Sequence, residues 1–583
     1  MDTIDFNIKI INNSRNILKN KEKKVCIFGN SFHLTKKELH DKYLNNSIED
    51  FLSFEAANSI GNYLIFDKIN YNIITSIGYC GGYIYQNKNI IQCSTLLSNI
   101  LKNIGYNNLE INKNRLIRFL EKPIQEMLPI STIFENIERI LPAMVIHISN
   151  ENIYRYVYPF KYINNTYNEI NFSFSSALDK VIKLITKNGC INNYEIMFSG
   201  GIDSSALALS FLKSTSYNKI NFTNFDYGNR STNTPERGRI VSQLLNIQTN
   251  KVDFLKKHEN NTFLIKTIEY EMENDFVNLL NPHRGYTKII NKDSLIISGQ
   301  NFDAMSIINM KRYQSSFFRR ILLLFKQNIR IKEKIKFIIK ILHDIKHNYQ
   351  FVDKKLNKKN KIYRQNNSRS TNKYNIEGII LGMISTGKPF LVNKKYHYIE
   401  NRELNKILKL NKSKSKRNTL DLIHYINYQS NTNKQIATFK NYNGIEVVLP
   451  AMTGPIMNYY IHKSRTIQDA INPKREIYKY FRRESGYNYN LLFDKLQDIK
   501  FKEKPSKKVI FKLLVKNKDK FNYKHSYIIS LNNDKETQEY LKLKYSDAYN
   551  LSDKKMTYDN PTVNFANKIL NIELLLRNID KTQ

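Results

Sequence analysis

The run Ser199, Gly200, Gly201, Ile202, Asp203, Ser204, Ser205 sets small polar side chains between an apolar segment, "EIMF", and a helical pattern, "ALALSFL". A strand that enters a helix through such a turn offers unpaired N–H groups and the positive end of the helix dipole. That combination binds a phosphate. Gly200 and Gly201 let the backbone come close to the anion. Ser199, Ser204 and Ser205 add hydroxyl donors. Asp203 would repel a phosphate by itself, and fits if Mg²⁺ lies between them. A Ser/Gly/Asp turn also reads as a plain helix N-cap. The full seven-residue string behind a buried strand separates the two readings. The GxxxxGK[ST] pattern of kinase-type phosphate loops is absent here, because the segment has no lysine.

The elements that must hold this loop can be read outward from it. "YEIMFSGG", "KINFTNFDY" and "DSLIISG" are apolar runs that read as buried strands. Helical patterns start at Ser204 and over "TPERGRIVSQLLN", and strands alternating with helices predict a parallel sheet covered on both faces. Residues 20–160 differ. Short alternating runs broken by Gly and Asn predict an antiparallel β-rich domain there. A linker, "KYINNTYNEINFSF", then leads to a helix over about 172–188. After residue 310 the pattern is mostly helical, with polar low-complexity runs at 353–375 and 411–418. In 316–345, Phe318, Leu322, Phe325, Ile329, Ile335, Ile338, Ile339, Leu342 and Ile345 keep helical spacing, with lysines on the other face. Such a stretch either packs on the core as ordinary surface helices or lies on a membrane or a partner.

At 583 residues the chain has room for two or three cored domains. No run of about 18 apolar residues predicts a membrane span, and "MDTIDFNIKI" lacks the features of a signal peptide. Cys26, Cys80, Cys93 and Cys190 are scattered, without metal-ligand spacing. A reduced, cytoplasmic compartment is expected. The net charge is +39, from 91 basic and 52 acidic residues. Nucleic acid, a membrane surface or a polyanionic ligand would each suit it. The chain is also rich in Asn, Ile and Tyr and has no Trp, as a bias toward AT-rich codons produces. The charge by itself therefore names no partner.

SGGIDSS resembles the pyrophosphate loop of the ATP pyrophosphatase superfamily. Its members split ATP into AMP and pyrophosphate while adenylating a substrate oxygen. Three further stretches resemble the asparagine synthetase-like branch. "LIISGQNFDAM" is similar to its SGxGxDE segment, with Phe302 in place of a small residue and Ala304 in place of the glutamate. The resemblance implies phosphate contacts at Ser298 and Gly299, and Mg²⁺ held by Asp203 and Asp303. "GIEVVLPAM" is similar to G-[VI]-E-x-R-x-P. Glu446 falls on the active-site glutamate, Pro450 on the proline, and Val448 where arginine is usual. "DIKFKEKPSKKVIFKLL" resembles the late lysine segment, which makes Lys502 or Lys504 the lysine on pyrophosphate. "INPKREIYKYFRR" resembles the family's "pK..lr" helix and is less diagnostic.

The N-terminal half, from "IEDFLSFEAANSIGNYLIFDKINYNIITSIGYCGGYIYQ" to "STIFENIERILPAMVIHI", resembles a class II glutamine amidotransferase domain. Ser131, Thr132, Phe134 and Pro142 fall in its closing pattern. Such a glutaminase needs an amino-terminal cysteine. Residue 2 is Asp2, and no cysteine precedes Cys26, so no glutamine hydrolysis is expected. The resemblance implies a degenerate Ntn-hydrolase-like β-rich α+β domain over 1–165. A parallel-sheet, adenine-nucleotide α-hydrolase-like synthetase domain would follow over 172–583, with a helical C-terminal part and a basic insertion at about 311–376.

The resemblance implies a synthetase without its own ammonia source, which would use another amine; β-lactam synthetases and lasso-peptide cyclases take it from the substrate itself. The late segment looks closer to the cyclases. The expectation is then an ATP- and Mg²⁺-using macrolactam-forming ligase acting on a precursor peptide, alongside a leader protease and an exporter, with nucleic acid not favoured. An ammonia-using asparagine synthetase or amidotransferase, a β-lactam synthetase-like enzyme, a tRNA-modifying ligase and a non-catalytic scaffold stay open.

Overall fold

The structure is a computed structural model. It describes residues 7–11, 25–79, 81–87, 90–94, 97–121, 130–148, 153–162, 173–187, 191, 193–226, 234–253, 293–307, 446–463, 474–489, 518–532, 534–550 and 561–580, and single residues at 331, 335, 338, 339, 425, 466, 468, 469 and 472. Asp2, Cys80, Cys190, Lys502, Lys504 and the runs 353–375 and 411–418 lie outside the described residues.

Alternating apolar residues in the N-terminal half form two sheets. The strands are β1 (Asn7–Ile11), β2 (Val25–Ser31), β3 (Gly61–Asp67), β4 (Asn72–Thr75), β5 (Tyr83–Asn87), β6 (Ile90–Ser94), β7 (Ile137–Arg139), β8 (Met144–Ile148) and β9 (Ile153–Val157). One sheet has the order β2-β3-β4-β8-β9, the other β1-β6-β5-β7. All pairs are antiparallel except β1 with β6. The period of two divides the second sheet. Ile84, Ile91 and Cys93 join the core of the first sheet, whereas Tyr83 and Ile137 face a second core. Helices α1 (Lys36–Asn45) and α2 (Ile48–Asn58) connect β2 to β3. Thr35 and Glu38 start α1 with a reciprocal capping box. Helices α3 (Leu97–Ile104), α4 (Lys113–Glu121) and α5 (Pro159–Tyr162) complete this half.

Helix α6 (Phe174–Lys187) begins the second half. Strands β10 (Asn193–Met197), β11 (Ile220–Asp226), β12 (Thr249–Asp253), β13 (Ser294–Ile297) and β14 (Val447–Val448) make a sheet of order β12-β11-β10-β13-β14. Every pair is parallel. Three of these strands were legible as apolar runs; β12 and β14, at the two edges, were not. The chain builds outward from β10 through β11 to β12, then returns to β13 on the opposite side. The strand order therefore reverses between β10 and β13, where open parallel sheets bind ligands at their carboxyl ends.

Helices α7 (Ile202–Ser214), α8 (Thr234–Leu244), α9 (Phe302–Ile307), α10 (Gly454–His462) and α11 (Arg475–Ser485) surround this sheet. Phe174 on α6 gathers Phe302, Tyr459, Tyr460 and Tyr480 around it, with ring centroids 5.8–6.3 Å away. The N-terminal half meets the second half backbone to backbone. Gly454 N–H donates to Ser59 O at 2.7 Å. A Cβ on Gly454 would stand 2.6–2.7 Å from backbone atoms of Ala57, Asn58 and Ser59.

The chain ends in α12 (Tyr527–Ser530), α13 (Lys535–Tyr549) and α14 (Pro561–Asp580). These share the second core with Leu97, Leu101, Leu116 and Phe134 of the N-terminal half. At its centre Glu573 is fully buried, accepting from Ser526 Oγ, Tyr527 N, Ile528 N and Tyr545 Oη.

Packing on the core was one reading of the amphipathic stretch 316–345. Its described residues, Ile331, Ile335, Ile338 and Ile339, are instead exposed. Among the described residues, no helix is long and apolar enough to cross a membrane.

Candidate functional site

The carboxyl ends of β10 and β13 sit side by side because these strands pair in parallel register, Ile196 beside Ile297. The loop after β10 carries Ser199, Gly200 and Gly201, then enters α7. Gly200 has φ +66, and a Cβ there would fall 2.6 Å from Arg237 O and 2.7 Å from Gly238 Cα. Both neighbours are backbone, so glycine is required. Gly201 is the N-cap of α7 and no side chain caps the helix. The orphan N–H groups of the first turn are left to water or a ligand.

The loop serines hold the turn. Ser199 N–H donates to Ser204 Oγ at 3.2 Å, Gly201 N–H donates to Ser199 Oγ at 3.2 Å, and Ser204 Oγ donates to Gly201 O at 3.0 Å. Ser205 is fully buried and its Oγ makes no hydrogen bond among the described residues. A hydroxyl left so costs about 1–3 kcal/mol.

The loop after β13 lies against the first turn of α7. A Cβ on Gly299 would be 3.1 Å from Asp203 Cβ and 3.1 Å from Ser204 N. Ser298 is buried, its N–H donating to Val448 O at 3.2 Å. Gln300 N–H donates to Ser298 Oγ at 3.4 Å. Asp303 falls on α9 directly after this loop; its side chain lies outside the described residues. Phe302, the departure from the family pattern, fills the aromatic cluster around Phe174 and is 1 % exposed. Val448, the other departure, is buried in β14.

Glu446 stands immediately before β14, and its carbonyl accepts from Ile296 N–H at 3.0 Å. The register Val447 beside Ile296 puts Glu446 level with Leu295. That is three residues, about 10 Å, below Ser298 along the sheet. The structure therefore brings Ser199–Ser205 together with Ser298 and Gly299, and sets Glu446 lower on the neighbouring edge. Lys502 and Lys504 fall outside the described residues.

Three contacts to the loop had no counterpart among the expected site residues. Lys474 Nζ stands 2.5 Å from Asp203 Oδ2. Arg237 on α8 donates from Nε to Ser199 O at 3.3 Å. Tyr489 donates its buried hydroxyl to Gly200 O at 2.6 Å, and burial pushes that phenol well above its ordinary pKa. The "pK..lr" likeness of 471–483 was the one signal that pointed toward Lys474.

Lys213 near the end of α7 lies 3.5 Å from Glu484 near the end of α11. With Lys474 and Asp203 at the other ends, the two helices run side by side in one direction. Their positive dipole ends meet at the loop. Under the loop, Glu195 on β10 is 5 % exposed and accepts from the Thr223 hydroxyl. Burial pushes its carboxyl up to about 7.

A glycine cradle, two convergent helix N-termini and one first-turn carboxylate describe a polyphosphate site. Residues 195–284 match the family model described as queuosine biosynthesis protein QueC. This stretch belongs to the PP-loop ATP pyrophosphatase superfamily. The turn Ser199–Ser205 lies within the matched residues, and the α/β sheet around it fits the adenine-nucleotide α-hydrolase-like fold. The match concerns the nucleotide domain. No curated protein matches the chain. PP-loop enzymes use ATP, usually with Mg²⁺. Among the described residues no three His, Cys, Asp or Glu side chains converge as a metal cage. Mg²⁺ held by one or two carboxylates plus substrate phosphates needs no such cage. Asp203, at the mouth of the PP-loop, suits that arrangement.

Proposed function

We propose that the chain is an ATP-dependent, AMP- and pyrophosphate-forming carbon–nitrogen ligase that closes an amide within its substrate. The observation that carries the reading is the PP-loop at the switch point, with Asp203 in the first turn of α7 and the Gly299 loop packed on it. The triphosphate of ATP, a substrate here, lies over Ser199–Ser205. Asp203 with Asp303 would hold Mg²⁺, which would shield the phosphate charge. The first-turn N–H groups and the Ser205 hydroxyl hold the departing pyrophosphate. A substrate carboxylate displaces pyrophosphate from the α-phosphorus, and an amine of the same molecule then displaces AMP. Glu446, on the edge beside β13, takes the amine proton if the substrate reaches down that edge. Tethering the two groups supplies an effective molarity of about 10⁵ M or more. Lys474 joins Lys502 and Lys504 as a cation for the pyrophosphate.

The finer reading is macrolactam formation on a ribosomal precursor peptide of the lasso type, with a leader protease and exporter as partners. The likeness of the late segments to the cyclases supports it. The N-terminal half serves in this reading as an inactive, Ntn-like amidotransferase domain. It supports the β14–α10 segment through Ser59 and Gly454 rather than releasing ammonia.

The test is carboxylate-dependent ATP–pyrophosphate exchange by the purified chain, with mass spectrometry of a candidate peptide for loss of one water. Exchange that survives Ser199→Ala and Asp203→Ala at the wild-type rate rejects the site. Glutamate release from glutamine rejects the inactive N-terminal domain. The QueC match favours a second reading, a role in queuosine biosynthesis. Loss of queuosine from the tRNA of a deletion strain would select it.

A further inference from the structure

Ile331, Ile335, Ile338 and Ile339 are helical and 76 %, 52 %, 43 % and 59 % exposed. At 100° per residue they fall within an arc of about 100°, a single stripe. Four exposed isoleucines on one stripe keep apolar surface in water at a cost that calls for a cover. The surrounding sequence says which cover. Residues 316–345 hold eight basic and two acidic side chains. In the sequence, the same rotation sets Lys332 and Lys334 just beyond opposite edges of the stripe.

We infer that this stripe binds the surface of an anionic lipid bilayer, lying in the interface without spanning it. An isoleucine face seats among acyl chains, and lysines flanking it reach back to the headgroups on their long stems. A protein partner fits less well, because protein interfaces exclude lysine from their cores. Single-stranded nucleic acid would need aromatic platforms, and the stripe has aliphatic side chains alone. The inference is independent of the ligase reading.

The experiment is co-sedimentation of the full chain with vesicles of phosphatidylcholine alone and of phosphatidylcholine mixed with phosphatidylglycerol. Wild type is expected to sediment with the mixed vesicles and to stay in solution with the neutral ones. Ile335→Asp with Ile339→Asp should lower the bound fraction by more than about tenfold at an unchanged melting temperature, since both side chains are exposed. Lys332→Gln with Lys334→Gln should weaken the anionic binding alone. The inference falls if wild type binds neither vesicle, binds both equally, or binds as well after the isoleucine substitutions. It also falls if those substitutions abolish self-association in the ultracentrifuge while vesicle binding is absent; the stripe is then a contact with a second copy of the chain.

Discussion

Lys474 Nζ and Asp203 Oδ2, 271 residues apart in sequence, meet at 2.5 Å where the N-termini of α11 and α7 converge. A cation thus rests on the carboxylate that faces the phosphate loop. In the proposed ligase, the same ammonium would stand beside the bound polyphosphate.

Lys474→Met is expected to reduce ATP–pyrophosphate exchange by about 10²-fold, the usual effect of losing one charged contact to a transition state. Lys474→Arg should recover part of it. The second readout is direct titration of inorganic pyrophosphate without metal. Lys474→Met should weaken it, whereas Asp203→Asn should tighten it by releasing the lysine. Unchanged pyrophosphate binding in Lys474→Met would remove the lysine from the site.

Gly200→Ala should damage the loop while sparing the domain. The new methyl would press on the Arg237 and Gly238 backbone in a left-handed conformation, at a cost of about 1–3 kcal/mol. Calorimetric titration with ATP should show binding weakened more than about tenfold, with far-UV circular dichroism unchanged. Wild-type affinity would mean the loop does not need this backbone.

Glu195 makes stability fall with rising pH. Its carboxyl is held up at about 7 by burial against an ordinary 4.5. The folded chain therefore binds the proton more tightly than the unfolded one. The contribution is full below about 4.5 and is lost as pH rises through about 7, of order 3 kcal/mol in all. Glu195→Gln should flatten this part of the urea-midpoint profile and raise the midpoint at pH 8. An unchanged slope between pH 5 and 8 would contradict it.

Glu573→Ala should be strongly destabilising. It removes the acceptor of the Ser526 and Tyr545 hydroxyls, which keep only their bond to each other, and of two backbone N–H groups in the core shared by α12–α14 and the N-terminal half. A loss of about 3–5 kcal/mol is expected by chemical denaturation. A loss below about 1 kcal/mol would show that water replaces the carboxylate.

The turn Ser199–Ser205 was legible because its residues are contiguous. Gly200 and Gly201 are read by the residues next to them, and the run from Tyr194 into Phe211 carries both its strand and its helix. Glu446 and β14 illustrate the opposite case. Two strand residues, Val447 and Val448, have too short a period to announce a strand, and only pairing with Ile296 and Ile297 makes them one. Phe302 and Val448 looked like defects in family motifs. The fold gives each a buried place, in the aromatic cluster of Phe174 and in the sheet. The isoleucine stripe was readable as a period; whether the core would cover it was not.

The sequence by itself determined the glycine turn at Ser199–Ser205, its polarity from strand to helix, and the change from an alternating β-rich half to a parallel α/β half. Each depends on neighbours within a few residues, where backbone preference and apolar period act locally. Tertiary structure alone decided that Lys474, Arg237 and Tyr489 converge on that loop, that Glu446 starts lower on the adjoining edge, and that the C-terminal helices pack on the N-terminal sheet. Those contacts join residues tens to hundreds of positions apart. They arise from packing of whole elements, which no local pattern of residue types encodes.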